Sequence, residues 1–276
     1  MGQDQKLSTL SDILKEIENA AIGFSGGVDS TFLAKVCHDV LGDKVVAITL
    51  VSPMNPQSEI DNAKKLAEQI GIRHVLVVDD DIEEDVAANT VDRCYHCKKI
   101  EFTRMIGKAK ELGFSVILDG SNSDDLNDYR PGKKALDELG VRSPLREAGL
   151  TKDEIRSLSH YLDLPTWDKP ALACLASRVP YGEKITKDIL HRIEKAEEYL
   201  RSLGFRQFRV RSHSNIARIE VDPDEITIFF DKKMMTDIAV KMKSFGYSYV
   251  TLDLEGYKTG SMNREIEKKD DFVSRE

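Results

Sequence analysis

Three stretches of this chain combine residue types that do chemistry. "FSGGVDST" (24–31) sets Gly26 and Gly27 between Ser25 and Ser30, with Asp29 beside them. Paired glycines let backbone N–H groups curl around an anion, and a helix starting behind them adds roughly half a positive charge. The two serines can donate hydroxyls to the same anion. "ILDGSNSDDLNDYRPG" (117–132) carries Gly120 and then Asp124 and Asp125. Such acids can hold Mg²⁺, which takes a few carboxylates plus substrate oxygens. "DRCYHCKKIEF" (91–101) places Cys94 and Cys97 with two residues between them, in a chain whose other cysteines are Cys37 and Cys174. Each stretch also has a plainer reading: a Gly-rich turn with a first-turn acid at Asp29, a solvated turn with Asx caps, and unrelated reduced thiols.

The glycine loop differs from two common phosphate loops. It has no lysine of the G-x-x-x-x-G-K-[ST] kind to hold β- and γ-phosphates, and no G-x-G-x-x-G for a dinucleotide.

Elements must position these residues. "AAIGFS" reads as a short buried strand broken by "GGVDS", and "TFLAKVCHDVLG" as a helix ending at Gly42. "KVVAITL", "RHVLVVD" and "SVILDG" read as further strands. "SEIDNAKKLAEQIG" is a helix with a Ser58 cap and a Gly71 stop, and a long helix covers about 97–112. Leu10, Ile13, Leu14 and Ile17 share one face of a helix before the first strand. Strands alternating with helices predict an α/β fold, a parallel doubly wound sheet with ligands at the carboxyl ends of its strands. Past residue 150 come a capped helix in "TKDEIRSLSHYLDL" and a long loop over 164–185. A helix (186–203), strands at 206–211 and 216–221, a helix (about 223–244) and a strand at 247–253 then predict a small C-terminal α+β domain. The expected boundary gives residues 1–180 to the sheet domain and 181–276 to the small one.

Composition narrows the partners. Lys and Arg number 40 against 48 Asp and Glu, a net charge of −8, which disfavours bulk attraction to nucleic acid or an anionic membrane. No apolar run approaches the ~20 residues of a membrane span. The N-terminus has no apolar signal core, so a cytoplasmic protein is expected. Cytosolic thiols stay reduced, which makes the cysteines metal-binding or catalytic rather than disulfide partners. Cys37, within a helix, reads as a small core residue. Cys94, Cys97 and Cys174 remain. Structural zinc wants four ligands, and His96 lies awkwardly between the pair. Three thiolates can hold a [4Fe–4S] cluster with one iron open to carry sulfide. A redox pair at Cys94 and Cys97, with Cys174 passing a persulfide, stands beside that reading.

The loop "FSGGVDST" resembles the SGGxDS loop of the PP-loop ATP pyrophosphatases. That resemblance implies binding of ATP and Mg²⁺ and cleavage between the α- and β-phosphates. Carried over, Ser25, Gly26, Gly27, Asp29, Ser30, Gly120, Asp124 and Asp125 form the ATP site, and "TLVSP" (49–53) lies where the family packs adenine. The whole chain is similar to the LarE family of sulfurtransferases. The likeness rests on "GFSGGVDST", "SPL" (143–145), "CLASRVPYG" (174–182) and "YLRSLGFRQFRVRSHSNIARIE" (199–220). It implies adenylation of pyridinium-3,5-biscarboxylic acid mononucleotide, a nicotinate-derived dicarboxylate, and displacement of AMP by sulfur. The product feeds the nickel-pincer nucleotide cofactor of lactate racemase. Cys174 is implied as the sulfur-handling residue with Ser177 and Arg178 beside it. Glu197, Arg209 and Arg211 are implied to meet the substrate phosphate or a metal. Strand spacing independently puts Arg209 and Arg211 on one face, roughly 7 Å apart, opposite Phe208 and Val210. Some members have one site cysteine and surrender its sulfur. Cys94 and Cys97 instead make this chain similar to the three-cysteine, cluster-bearing subset. A sulfide or other sulfur donor and a homo-oligomer, built with help from the small domain, are implied as partners. The competing expectations are sacrifice of the Cys174 sulfur and tRNA thiolation, the latter drawing on Arg201, Arg206, Arg209, Arg211 and Arg218.

Overall fold

Over residues 20–161, strands of three to seven residues alternate with helices and set the architecture. The computed structural model describes residues 2–126, 131–170 and 173–258. Residues 127–130 of the acidic loop, 171–172 of the loop before Cys174 and the charged tail lie outside them. In chain order the main elements begin with α1 (Gln3–Lys15), β1 (Ala20–Gly23), α2 (Val28–Leu41), β2 (Val45–Val51), α3 (Gln57–Ile70) and β3 (Arg73–Val78). Next are α4 (Glu84–Ala87), α5 (Arg93–Glu111), β4 (Val116–Leu118), α6 (Pro131–Glu138), α7 (Pro144–Glu147) and α8 (Lys152–Tyr161). The last are α9 (Lys187–Ser202), β5 (Phe208–His213), β6 (Ile216–Val221), α10 (Lys232–Ser244) and β7 (Tyr249–Leu252). No helix among the described residues is long and apolar enough to cross a membrane.

The chain divides into two compact units. The first runs to Asp81 and resumes at Cys94, ending before Ala173. Its four strands are all parallel, in the order β3-β2-β1-β4. β1 and most of β2 are buried, as central strands covered on both faces must be. The period of two sorts their side chains. Ala20, Ile22, Val45 and Ala47 join Leu10, Phe32, Leu33 and Ile155 in one apolar cluster. Ala21, Val46, Ile48 and Leu50 join Phe102, Met105 and Ile117 in another. Two clusters fed by alternate residues are what a doubly wound sheet requires. The order turns back between β1 and β4, so the crevice for a ligand lies at their carboxyl ends.

The second unit comprises Ile82–Arg93 and the chain from Ala173 onward. Its sheet is β5-β6-β7, antiparallel between β5 and β6 and parallel between β6 and β7. Leu200, Phe205, Val210, Ile219, Ile238 and Met242 make its core. The boundary therefore differs from the expected one at 180. Asn89 supplies the reason. It is fully buried with φ +53°, and its Nδ2 donates to the carbonyls of Val179, Pro180 and Glu183 at 3.3, 2.7 and 3.1 Å. A backbone bond from Ile185 N–H to the Ala87 carbonyl at 2.8 Å adds to the tie. The segment 82–93 thus packs with the loop expected to end the first domain.

Three local expectations are corrected. Ser58 does not cap its helix: Pro56 holds the cap position, and the Ser58 hydroxyl lies inside the first turn, buried without a partner among the described residues. The expected helix over 223–244 is two pieces, a 3₁₀ stretch (Pro223–Phe230) and α10. Asp231 separates them because its side chain accepts from Met234 N–H and caps α10. The long helix starts at Arg93 rather than near 97, because nothing in "RCYH" breaks a helix and Arg93 N–H already bonds to Thr90.

Candidate functional site

The glycine loop sits at the carboxyl end of β1 and opens α2. Gly26 has φ +67°, and a Cβ there would lie 3.1 Å from the Ala63 Cα, so only glycine fits the bend against α3. Gly27 takes the cap position of α2 without a side-chain cap, leaving the first N–H groups of the helix for a ligand. The two serines that flank the glycines also bond within the loop. Ser25 and Ser30 hydroxyls lie 3.1 Å apart, Ser30 Oγ donates to the Gly27 carbonyl at 3.3 Å, and Gly27 N–H reaches Ser25 Oγ at 3.4 Å. They staple the loop in shape.

The loop after β4 presses against it. A Cβ on Gly120 would come 3.0 Å from the Ser30 nitrogen, so glycine is what permits the approach. Asp119 is held by Ser121 and, through a 2.5 Å bond, by Ser143 of the "SPL" motif. Asn122 turns the acids inward: its N–H donates to Asp125 Oδ2 at 2.9 Å, and its Oδ1 accepts from Asp124 N–H at 3.0 Å. Burial pushes the Asp29 carboxyl above its usual range, Lys152 pulls it back, and nearby Asp125 pushes it up again. Asp29 Oδ1 is buried without a hydrogen-bond partner among the described residues. Such an orphaned carboxylate oxygen beside a second acid fits Mg²⁺, which needs only one or two protein carboxylates when phosphate supplies the rest. Among the described residues, no three histidine, cysteine, aspartate or glutamate side chains gather as a metal site.

Two lysines complete this region, and sequence reasoning missed both. Lys152 Nζ donates to Asp29 Oδ2 at 2.6 Å, and its backbone N–H to Asp124 Oδ2 at 2.8 Å. Lys169 Nζ donates to the Gly26 carbonyl at 3.0 Å and to Glu59 Oε2 at 2.7 Å. A signal existed for the first: Lys152 is the opening residue of α8, where the helix dipole disfavours a cation. Lys169 ties the loop to α3, so Lys169→Ala is expected to loosen the loop. Both partners are about one-fifth exposed. With screening, the expected cost is about 1 kcal/mol, or roughly fivefold in ATP affinity. Equilibrium titration with ATP checks it, and an unchanged affinity would remove Lys169 from the site.

Cys94 and Cys97 belong to the first unit, as the second and fifth residues of α5. Residues three apart share a helix face, so the pair can bind one centre. The helix N-terminus expected at Cys97 falls at Arg93, one residue before Cys94. Lys98 sits beside them. Partial burial pulls its ammonium down, but Glu101, Cys97 and Asp119 outweigh that and hold it above its ordinary value. Cys97 and the loop after β4 thus feel the same cation. Cys37 is fully buried, and burial pushes its thiol far up, as a core residue requires. No disulfide joins these cysteines.

Cys174 lies in the second unit, half-buried, at the cap of a 3₁₀ turn (Leu175–Arg178). Its carbonyl accepts from Ser177 N–H at 3.0 Å, Ser177 Oγ at 2.8 Å and Arg178 Nη1 at 3.0 Å. Ser177 and Arg178 therefore fix the Cys174 backbone. Arg178 is clamped by Glu197 through bonds of 2.8 and 2.9 Å, both side chains nearly fully buried. Burial lowers the Arg178 affinity for its proton, and Glu197 more than restores it. Arg209 and Arg211 share a face as expected, but that face is buried rather than wet, at 8% and 5% exposure. Arg211 pairs with Glu220 at 3.0 and 2.8 Å and donates to the Ser177 carbonyl at 2.9 Å. Arg209 donates to the Phe208 carbonyl and lies over the Tyr257 ring. Burial, then Arg178 close by, draw its guanidinium below the ordinary value. Crowded buried guanidiniums suit an incoming phosphate. A residue missed from sequence also acts on this turn: Arg93 donates to Asn89 Oδ1 and, at 3.1 Å, to the Ala176 carbonyl.

Comparison with known proteins gives three points. Residues 7–105 match the family model described as NAD synthase. An uncharacterised protein of Synechocystis is 47% identical across 96% of this chain and 99% of its own length. The pyridinium-3,5-bisthiocarboxylic acid mononucleotide synthase of Lactiplantibacillus plantarum is 40% identical across 95% of each chain. The tRNA-specific 2-thiouridylase MnmA of Rickettsia conorii is 31% identical over 54% of this chain and 50% of its own.

Proposed function

The chain belongs to the LarE family of PP-loop proteins, and we propose that it is an ATP-dependent sulfurtransferase making pyridinium thiocarboxylates from pyridinium-3,5-biscarboxylic acid mononucleotide. The observation that carries this is the glycine loop at the sheet's reversal point, with the orphaned Asp29 oxygen at its centre, in a chain 40% identical end to end to a synthase of that product. A carboxylate is a poor electrophile. Its oxygen attacks the α-phosphorus of ATP, the bond to the β-phosphate breaks, and pyrophosphate departs with the electron pair. Sulfur then attacks the acyl-adenylate and AMP leaves.

Each residue has a part in this reading. The N–H groups from Gly27 onward receive phosphate, in a loop shaped by Gly26, Ser25 and Ser30 and closed by Gly120. Asp29 holds Mg²⁺ with Asp125 or Asp124. Arg209 and Arg211, with Glu197 behind Arg178, take the substrate phosphate. Ser177 and Arg178 hold Cys174 in place to handle sulfur. Cys94, Cys97 and Cys174 would be the ligands of a [4Fe–4S] cluster, and the helix face shared by the first two supports it. When bound, such a cluster supplies an open iron for sulfide. The sulfur donor, a cytoplasmic setting, a homo-oligomer and supply of the nickel-pincer cofactor belong to the same proposal.

A tRNA thiolase is the second reading, favoured by the partial likeness to the 2-thiouridylase. Against it, Arg209 and Arg211 are buried, and Arg218 is paired with Glu220 and Asp253 at 3.1 Å each. They do not make an exposed basic stripe.

ATP is expected to yield AMP and pyrophosphate only when the dicarboxylate nucleotide is present. Asp29→Asn should lower that rate by about 100-fold or more, the scale of losing one charge-stabilising group in a reactive site. Product analysis decides: ADP and phosphate would sink the proposal.

A further inference from the structure

We infer that Tyr257 recognises the pyridinium ring of the substrate by presenting its aromatic face to that ring's permanent positive charge. This deepens the function proposed above and rests on it. A phosphate site accepts any nucleotide. The quaternary ring nitrogen sets this substrate apart, and it has no proton to donate in a hydrogen bond. A cation of that kind is recognised by the negative face of an aromatic ring.

Tyr257 already holds a cation. The Arg209 guanidinium carbon lies 5.0 Å from its ring centroid, inside the ~6 Å over which this attraction acts. Burial and closer charges act more strongly on Arg178 and Arg209, but the Tyr257 phenol oxygen also acts on both, so it faces the same cluster. The backbone holds the ring there. Strand register sets Val221 opposite Phe208 and Glu220 opposite Arg209. The Val221 carbonyl accepts the Tyr257 N–H at 2.7 Å, which moors the tyrosine beside Arg209. Asp253 secures the turn before it: its N–H donates to the Ile219 carbonyl at 2.8 Å, its carbonyl accepts from Gly256 N–H at 3.1 Å, and its carboxylate accepts from Arg218 at 3.1 Å. A ring fixed in advance loses little freedom when a ligand stacks on it. Packing does not account for the residue. Among the described residues, the apolar core of this unit closes without Tyr257, and the side chain is only half-buried, so it keeps surface for a ligand. Phosphate taken by Arg209 would neutralise the guanidinium now over the ring, and the pyridinium of the same molecule would meet the aromatic face without repulsion.

Titration of the full chain with three probes tests the inference: the pyridinium dicarboxylate nucleotide, its borohydride-reduced form with an uncharged ring, and ribose 5-phosphate. The unaltered protein should prefer the charged ring over the reduced one by about 5- to 30-fold, the range of one desolvated cation–π contact. Tyr257→Leu should abolish that preference while ribose 5-phosphate binds within about twofold of the parent, and Tyr257→Phe should keep the preference. A second measurement reads the contact directly. The pyridinium nucleotide should give a charge-transfer absorbance with the protein that moves to longer wavelength in Tyr257→Trp, because indole gives up an electron more easily than phenol. Three results overturn the inference and leave the proposed function standing: a preference that survives Tyr257→Leu, an equal loss of ribose 5-phosphate, which would make the ring a brace for Arg209, or a charge-transfer absorbance that is the same in Tyr257→Trp. An unaltered protein that binds no dicarboxylate nucleotide overturns both.

Discussion

Alanine at Cys94, Cys97 or Cys174 is expected to abolish sulfur transfer, and each change should remove the brown absorbance of the anaerobically purified protein at the same time. Cys94 and Cys97 lie on one face of α5, and the Cys174 backbone is pinned by Ser177 and Arg178, so each thiol has a fixed origin. A site with three thiolate ligands loses its cluster when one is removed, because the remaining two leave the iron under-coordinated. Cys37→Ala should spare both activity and colour, since that thiol is fully buried and held protonated. Adenylation should continue in all four variants, because pyrophosphate release depends on the glycine loop. After many turnovers, mass spectrometry should find Cys174 intact. Dehydroalanine there, in proportion to product, would make Cys174 a sacrificial donor and defeat the cluster as the source of sulfur.

Glu197→Ala is expected to destabilise the second unit by about 3–5 kcal/mol, the cost of stripping one partner from a buried ion pair. The carboxylate receives both the Nε and Nη2 hydrogens of Arg178 and, at 3.1 Å, the Val210 N–H. Its removal strands a guanidinium whose neighbourhood already holds Arg209. At roughly 4 °C per kcal/mol for a unit of this size, the thermal midpoint should fall by about 12–20 °C. Glu197→Gln, which keeps the shape and one acceptor, should lose less. A Glu197→Ala protein that melts normally but fails to bind the substrate nucleotide would make Glu197 a ligand rather than a brace.

The parallel sheet was legible because its signal is local. Buried strands such as "VVAITLV" alternate with helices closed by Gly42, Gly71 and Gly113, and a period of two divides each strand between two cores. The glycine loop was legible for a related reason: Gly26, Asp29 and Ser30 are close in sequence, and spacing alone places them at a helix start. The expected helix starts and the domain boundary were less legible. α5 begins four residues before the expected 97, and Asn89 draws its whole segment into the second unit through three carbonyls 90 to 94 residues away. The sequence by itself thus determined a glycine turn opening a helix in a doubly wound sheet, a helix-borne cysteine pair and a third cysteine in a loop, since each depends on short spacing and hydrophobic period. Tertiary structure alone decided that Lys152 meets Asp29 across 123 residues, that Lys169 reaches Gly26 across 143, and that Arg211 of β5 is buried against Glu220 and the Ser177 turn. Such pairings follow from which elements pack together in space, and neither propensity nor periodicity carries that information along the chain.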